Sequence, residues 1–122
     1  MATNDYLPEV REQYEEFPYP PRNPEDEHTG ILATWLDDLP MINHYCFAGR
    51  QTFADHFRVL VAGGGTGDAT IFLAQQLRHT DAEIVHVDIS EASTAIARRR
   101  AAARKLDTTA RSADSQASPT LT

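Results

Sequence analysis

Residues 58 to 70 read Arg-Val-Leu-Val-Ala-Gly-Gly-Gly-Thr-Gly-Asp-Ala-Thr, and no other stretch constrains the chain so tightly. Val59 to Ala62 is a short apolar run rich in β-branched residues, the composition of a strand buried on both faces of a parallel sheet. Gly63, Gly64 and Gly65 follow, then Thr66 and Gly67, and from Ala69 to Leu77 the spacing turns helical. Strand, glycine-rich turn and helix, in that order, present backbone amides and a helix N-terminus to a nucleotide-like ligand in open α/β folds. Thr70, Leu73, Ala74 and Leu77 recur at i, i+3, i+4 and i+7, so they read as core-facing and carry no assigned chemistry.

Gly63, Gly65 and Gly67 fit GxGxG and not GxGxxG, because Asp68 stands where the dinucleotide fingerprint has its third glycine. A carboxylate is a poor neighbour for a pyrophosphate, so a smaller cofactor without phosphate suits the turn better. Glu83 to Val87 reads as a second strand that ends at Asp88. An acidic residue about 20 positions past the glycines is where such folds meet a ribose, since a carboxylate accepts two hydrogen bonds from a vicinal diol. Plainer readings stand beside these. Three glycines also suit a flexible turn, Asp88 suits the start of a helix capped by Ser90, and Asp68 suits the positive end of the helix it opens.

Val-Leu-Val-Ala-Gly-Gly-Gly-Thr-Gly resembles the first motif, hh(D/E)hGxGxG, of the class I S-adenosylmethionine-dependent methyltransferases, with Val61 departing from the usual acidic residue. Asp88-Ile89-Ser90 is similar to that family's continuation after its second strand. The resemblance implies S-adenosyl-L-methionine as cofactor. It implies a site at Ala62, Gly63, Gly64, Gly65 and Gly67, with Asp88 on the ribose and Ile89 near the adenine. It implies transfer of the sulfonium methyl to an acceptor that the sequence leaves unknown. No catalytic residue can be assigned. The expected fold class is α/β: a partial Rossmann-like unit, βαβα, with an N-terminal helical arm and a disordered C-terminal tail.

The expected organisation is an arm or lid at 1–57, a truncated cofactor-binding unit at 58–106 and a disordered tail at 107–122. In the arm, Pro8 can start a helix with Val10, Tyr14 and Phe17 on one face. Phe17-Pro18-Tyr19-Pro20-Pro21 breaks it into an extended segment. That segment and Asn43-His44-Tyr45 resemble a subgroup of bacterial methyltransferase-domain proteins. A second helix is expected from Thr29 or Gly30 to Leu39, ended by Pro40, and a third, short one between Met41 and Phe57. The arm is either a packing arm for the sheet or a lid in which Tyr14, Tyr19 or Tyr45 borders the cofactor.

Charge is divided along the chain. Residues 1–40 carry ten acids against Arg11 and Arg22, whereas residues 98–122 carry six bases against Asp107 and Asp114, within an overall net charge of −7. The acidic front argues against nucleic acid as a partner. Arg98, Arg99 and Arg100 read as the solvated C-terminal end of the helix begun at Ser90.

The single cysteine, Cys46, lies between Tyr45 and Phe47 and reads as a small buried hydrophobe. The histidines show no metal-ligand spacing, so no metal is expected. The chain has neither a membrane-length apolar run nor a signal peptide, so the cytoplasm is the expected compartment. After Leu106 the sequence runs low in large apolar residues. Two strands are too few for a complete domain of this class, so a truncated or frame-shifted record, or a non-catalytic remnant, is a competing expectation. A nicotinamide- or flavin-dependent oxidoreductase is the runner-up enzyme, disfavoured by Asp68. A central strand short of one neighbour leaves an exposed edge open to self-association.

Overall fold

A computed structural model of the 122-residue chain describes residues 12–13 and 15–112. Its elements are helix α1 (Leu39–Phe47), strand β1 (Arg58–Ala62), helix α2 (Asp68–Gln76), strand β2 (Glu83–Asp88), helix α3 (Glu91–Ala103) and strand β3 (Thr109–Ser112). Two short 3₁₀ turns, Pro24–His28 and Trp35–Asp37, precede α1. The strands form one parallel sheet in the order β1-β2-β3, with Leu60 opposite Val85 and Val85 opposite Thr109.

Parallel neighbours need a crossover, and α2 and α3 supply the two crossovers. These helices pack on each other and both pack on β2. They cover the sheet face that carries Ile84 and His86, which are 5% and 0% exposed. The opposite face carries Leu60, half exposed at 50%. Thr70, Leu73, Ala74 and Leu77 are all buried, as their spacing requires. Leu39 from α1 joins Leu73, Ala74, Leu77 and Ile84 in the core, with Phe53, Phe57, Val59 and Val61 packed around them.

β3 corrects the reading of 107–122 as a disordered tail, since Thr109–Ser112 pairs with β2 from Val85↔Thr109 to Asp88↔Ser112. Composition missed it because the strand is short, carries no large apolar side chain and gains its order from the β2 ladder. Residues 113–122 lie outside the described residues. The unit is therefore βαβαβ.

The helix expected from Thr29 or Gly30 to Leu39 is not formed. Only the Trp35–Asp37 turn stands there, and Leu32, Trp35 and Leu36 are 48%, 74% and 85% exposed. Pro40 opens a helix and does not end one. Asp38 is the N-cap of α1, its side chain accepting from Met41 N–H at 3.1 Å, and a proline in the first turn loses no helical hydrogen bond. Gln76 pins this start by accepting from Leu39 N–H and donating to the Asp37 carbonyl, each at 2.8 Å.

Cys46 is exposed, contrary to its expected burial. α1 turns Leu39 and Ile42 inward, and its last turn runs out beyond the core before Ala48 closes it in the left-handed region at φ 53°. Most of the helix expected from Pro8 lies outside the described residues. Its Phe17 is 65% exposed.

Candidate functional site

The carboxyl ends of β1 and β2 meet at the glycine turn. Gly63 and Gly64 N–H both donate to the Val87 carbonyl, at 2.7 and 3.1 Å, which extends the ladder one step past Ala62. Asp88 ends β2 beside them. Its Oδ1 accepts from Gly65 N–H at 3.0 Å and its Oδ2 from Ser90 N–H at 2.9 Å. The carboxylate is thus held from both sides while each oxygen keeps a further acceptor site. Ala62 and Gly63 are exposed, and Gly64, Gly65, Asp88 and Ile89 are half-buried around the same corner.

Three of the glycines have a packing reason for being glycine. A Cβ on Gly64 would overlap the His86 ring. A Cβ on Gly65, already at φ +58°, would stand 2.5 Å from the Tyr19 carbonyl oxygen. A Cβ on Gly67 would stand 3.0 Å from the Ala97 methyl, so this glycine lets α2 and α3 approach. Of the turn's four glycines, Gly63 alone, at φ +68°, faces open space. The turn is packed from beneath by β2, from the side by α3 and from above by the N-terminal segment.

His86 is the floor. It is fully buried, its Nδ1 lies 2.7 Å from Thr70 Oγ1, and its Nε2 has no partner at hydrogen-bond geometry. Burial pushes its pKa below the usual histidine range, against weaker pulls from Asp88 and the Gly65 backbone. The ring is therefore neutral at pH 7 and sits too deep to act on a ligand.

The N-terminal segment reaches the site at two places. Thr66 Oγ1 donates to the Pro20 carbonyl at 2.5 Å, just past the cis Tyr19–Pro20 bond. Farther along, Glu15 Oε1 accepts from Ser90 Oγ at 2.8 Å and from Ala92 N–H at 2.9 Å, capping α3 two residues beyond Asp88. Tyr19 borders the turn through its backbone. Tyr45 is 77% exposed on α1 and stacks edge-on with His44. Tyr14 lies outside the described residues.

Asp68 opens α2, and its carboxylate is held by two arginines. Arg22 donates Nε and Nη2 to it at 2.8 and 2.7 Å, and Arg100 donates Nη1 at 2.9 Å. The bidentate Arg22 contact, aided by Arg100, keeps this carboxyl below the usual aspartate range despite partial burial. This carboxylate, paired with two guanidinium groups, stands where the dinucleotide fingerprint has its third glycine.

Arg100 overturns the reading of the arginine run as solvated, because its side chain is only 1% exposed. Arg98 does stay at the surface, paired with Glu91 at 2.8 Å. The signal for the difference was in the spacing. Ser93, Ala97, Arg100, Ala101 and Arg104 share one stripe of α3, at i, i+4, i+7, i+8 and i+11. Glu15, Arg22 and Glu27 left no comparable mark in the sequence, since each finds its partner far away along the chain.

A family model described as a methyltransferase domain matches residues 59–122, from the first residues of β1 onward. The chain belongs to this methyltransferase-domain family. No curated protein matches it. Two solved structures are similar. One was determined in work on the conversion of a disulfide bond into a thioacetal group during echinomycin biosynthesis; it is 29% identical, with 62% of this chain and 28% of that one covered and a TM-score of 0.45. The other, the [4+2]-cyclase SpnF, is 24% identical, with 75% of this chain and 34% of that one covered and a TM-score of 0.47. The chain thus spans about a third of the length of these structures.

The donor set suits the cofactor that a methyltransferase domain uses. Asp88 keeps two fixed acceptor positions, Gly63 leaves open space at the end of β1, and the Asp68 carboxylate at the start of α2 is already paired with Arg22 and Arg100. Among the described residues no group of His, Cys, Asp and Glu could hold a metal ion, and no helix is long and apolar enough to cross a membrane.

Proposed function

We propose that this methyltransferase domain binds S-adenosylmethionine at the carboxyl ends of β1 and β2. Asp88 takes the ribose, Ile89 follows on the adenine side, and Ala62, Gly63, Gly64, Gly65 and Gly67 form the turn around the methionine part. The observation that carries the reading is the Asp88 carboxylate, fixed by Gly65 and Ser90 N–H yet still able to accept two hydrogen bonds. When bound, the cofactor supplies an electrophilic sulfonium methyl. The chain's own residues bind and orient it. The cytoplasm is the proposed setting.

A second reading, cofactor binding without turnover by this chain, is favoured by the exposure of Ala62 and Gly63. The described residues build a donor side, whereas differential stabilisation of a transition state also needs an acceptor pocket.

Thermal-shift and calorimetric titrations with S-adenosylmethionine, S-adenosylhomocysteine and NAD test the cofactor. Saturable binding of the first two and none of NAD is expected. Binding of NAD alone would sink the proposal. Incubation with methyl-labelled cofactor and a cell extract then separates the two readings by whether label appears in a product.

A further inference from the structure

Arg100 is the largest fully buried side chain among the described residues. Its Nε donates to Glu27 Oε2 at 2.9 Å. Its Nη1 donates to the Thr66 carbonyl at 3.0 Å and to Asp68 Oδ1 at 2.9 Å. Each acceptor belongs to a different part of the molecule: Glu27 to the Pro24–His28 turn of the N-terminal segment, Thr66 to the glycine turn, and Asp68 to the first residue of α2. Glu27 is shared with Arg104, whose Nε reaches Oε1 at 2.5 Å, and Asp68 is shared with Arg22. Arg22, Asp68, Arg100, Glu27 and Arg104 thus form an alternating chain of charges whose centre is out of solvent.

Buried ions are a costly way to fill space, because well-packed apolar side chains of similar volume serve stability at least as well. What a guanidinium adds is geometry: a rigid fork fixes the relative placement of the groups it joins. Here it joins the roof of the glycine turn to the turn itself. The same junction is closed by Thr66 Oγ1 on the Pro20 carbonyl and by the close approach of the Tyr19 carbonyl to Gly65. Gly65 is also the residue whose N–H holds Asp88.

We propose that Arg100 is a positioning residue for the cofactor site: it locks the N-terminal segment onto the glycine turn, and the turn holds its ligand-binding shape only while that segment is docked. The Tyr19–Arg22 stretch is then a fixed wall of the cofactor cleft. The proposal rests on the cofactor reading for the ligand and on the geometry alone for the coupling, so the two can fail separately.

The test uses the full chain, with amide hydrogen exchange in the absence of ligand and calorimetric titration with S-adenosylhomocysteine. In Arg100→Gln, exchange at residues 63–67 is expected to rise at least tenfold while β1 and β2 stay protected. Affinity for S-adenosylhomocysteine should fall at least tenfold, and Arg100→Lys should recover part of both losses. Normal exchange at 63–67 with unchanged affinity in a folded Arg100→Gln protein would overturn the proposal. If that variant does not fold, Glu27→Gln decides, because it loosens the segment and leaves the arginine in place. Faster exchange at both 24–28 and 63–67 supports the coupling, and faster exchange at 24–28 alone refutes it. A wild-type chain that binds no S-adenosylhomocysteine would refute the cofactor reading, and the exchange pattern would still decide the role of Arg100.

Discussion

The Gly65 amide and the Asp88 carboxylate, 23 residues apart, meet in a 3.0 Å hydrogen bond that joins the turn after β1 to the end of β2. The bond makes Asp88 a structural group as well as a candidate ligand-binding one. The Ser90 N–H contact adds the start of α3 to the same carboxylate.

Asp88→Ala is therefore expected to act twice. Leaving the Gly65 and Ser90 amides without their charged acceptor should lower stability by about 1–3 kcal/mol. Removing the acceptors for the ribose diol should weaken S-adenosylhomocysteine binding at least tenfold. Asp88→Asn keeps one acceptor oxygen but turns an NH2 toward one of the two backbone amides, so it should recover part of the stability and little of the affinity. Chemical denaturation with calorimetry on both variants checks this. Parallel recovery of the two quantities would mean that Asp88 only builds the turn.

The glycines should separate by what surrounds them. Gly63→Ala meets no atom and faces only the strain of a positive φ, about 1–2 kcal/mol. Gly64→Ala drives a methyl into the His86 ring, a buried group with no room to retreat, and should cost more. Gly65→Ala combines positive φ with a clash against the Tyr19 backbone and should expel the N-terminal segment from the turn. Thermal unfolding ranks the three, and faster trypsin cleavage after Arg22 is the expected mark of Gly65→Ala. A Gly63→Ala protein less stable than Gly64→Ala would contradict this packing account.

His86 makes the fold pH-sensitive with a definite sign. Its folded pKa lies below the unfolded value of 6.5, so the unfolded chain takes up its proton first as pH falls. The contribution of the neutral ring is complete above pH 6.5 and declines below it, at a slope of up to about 1.4 kcal/mol per pH unit, until the folded pKa is reached. Asp68, also lowered, adds a similar loss only below its own unfolded value of 3.8. Unfolding free energy measured from pH 8 to pH 5 should fall in the wild type and flatten in His86→Gln. Equal slopes in the two proteins would remove His86 from the account.

The parts of the fold that were legible in the sequence are those fixed by local pattern. The apolar run before the glycines, the i, i+3, i+4, i+7 stripe of α2 and the Ser90 cap of α3 each act within a few residues, so β1, α2, β2 and α3 could be read directly. What stayed hidden depends on distant partners. β3 is held by β2, Arg100 is buried by Glu27 and Asp68, and Cys46 is exposed because α1 runs past the core. Pro40 misled because a proline is compatible with the start of a helix as well as with its end, and the Asp38 cap decides between them. The glycine motif was recognisable as the turn between a strand and a helix, but the reason for each glycine was not. His86, Tyr19 and Ala97 come to the turn from three separate elements.

Among the described residues β1 pairs with β2 alone, and its Leu60 is 50% exposed on the face that α2 and α3 leave uncovered. An edge with unpaired backbone groups and an exposed apolar side chain is a template for a second strand. Two copies of β1 paired antiparallel about Leu60 would set Arg58 opposite Ala62 of the other copy, so no like charges face each other. Self-association that grows with concentration is expected in sedimentation velocity. Leu60→Lys should suppress it, since a lysine on an edge strand is tolerated in water and penalised between paired sheets. Arg99→Ala, at an exposed position on α3, should leave it unchanged. A wild-type chain that stays monomeric at high concentration would show that the edge is protected by something other than a second copy.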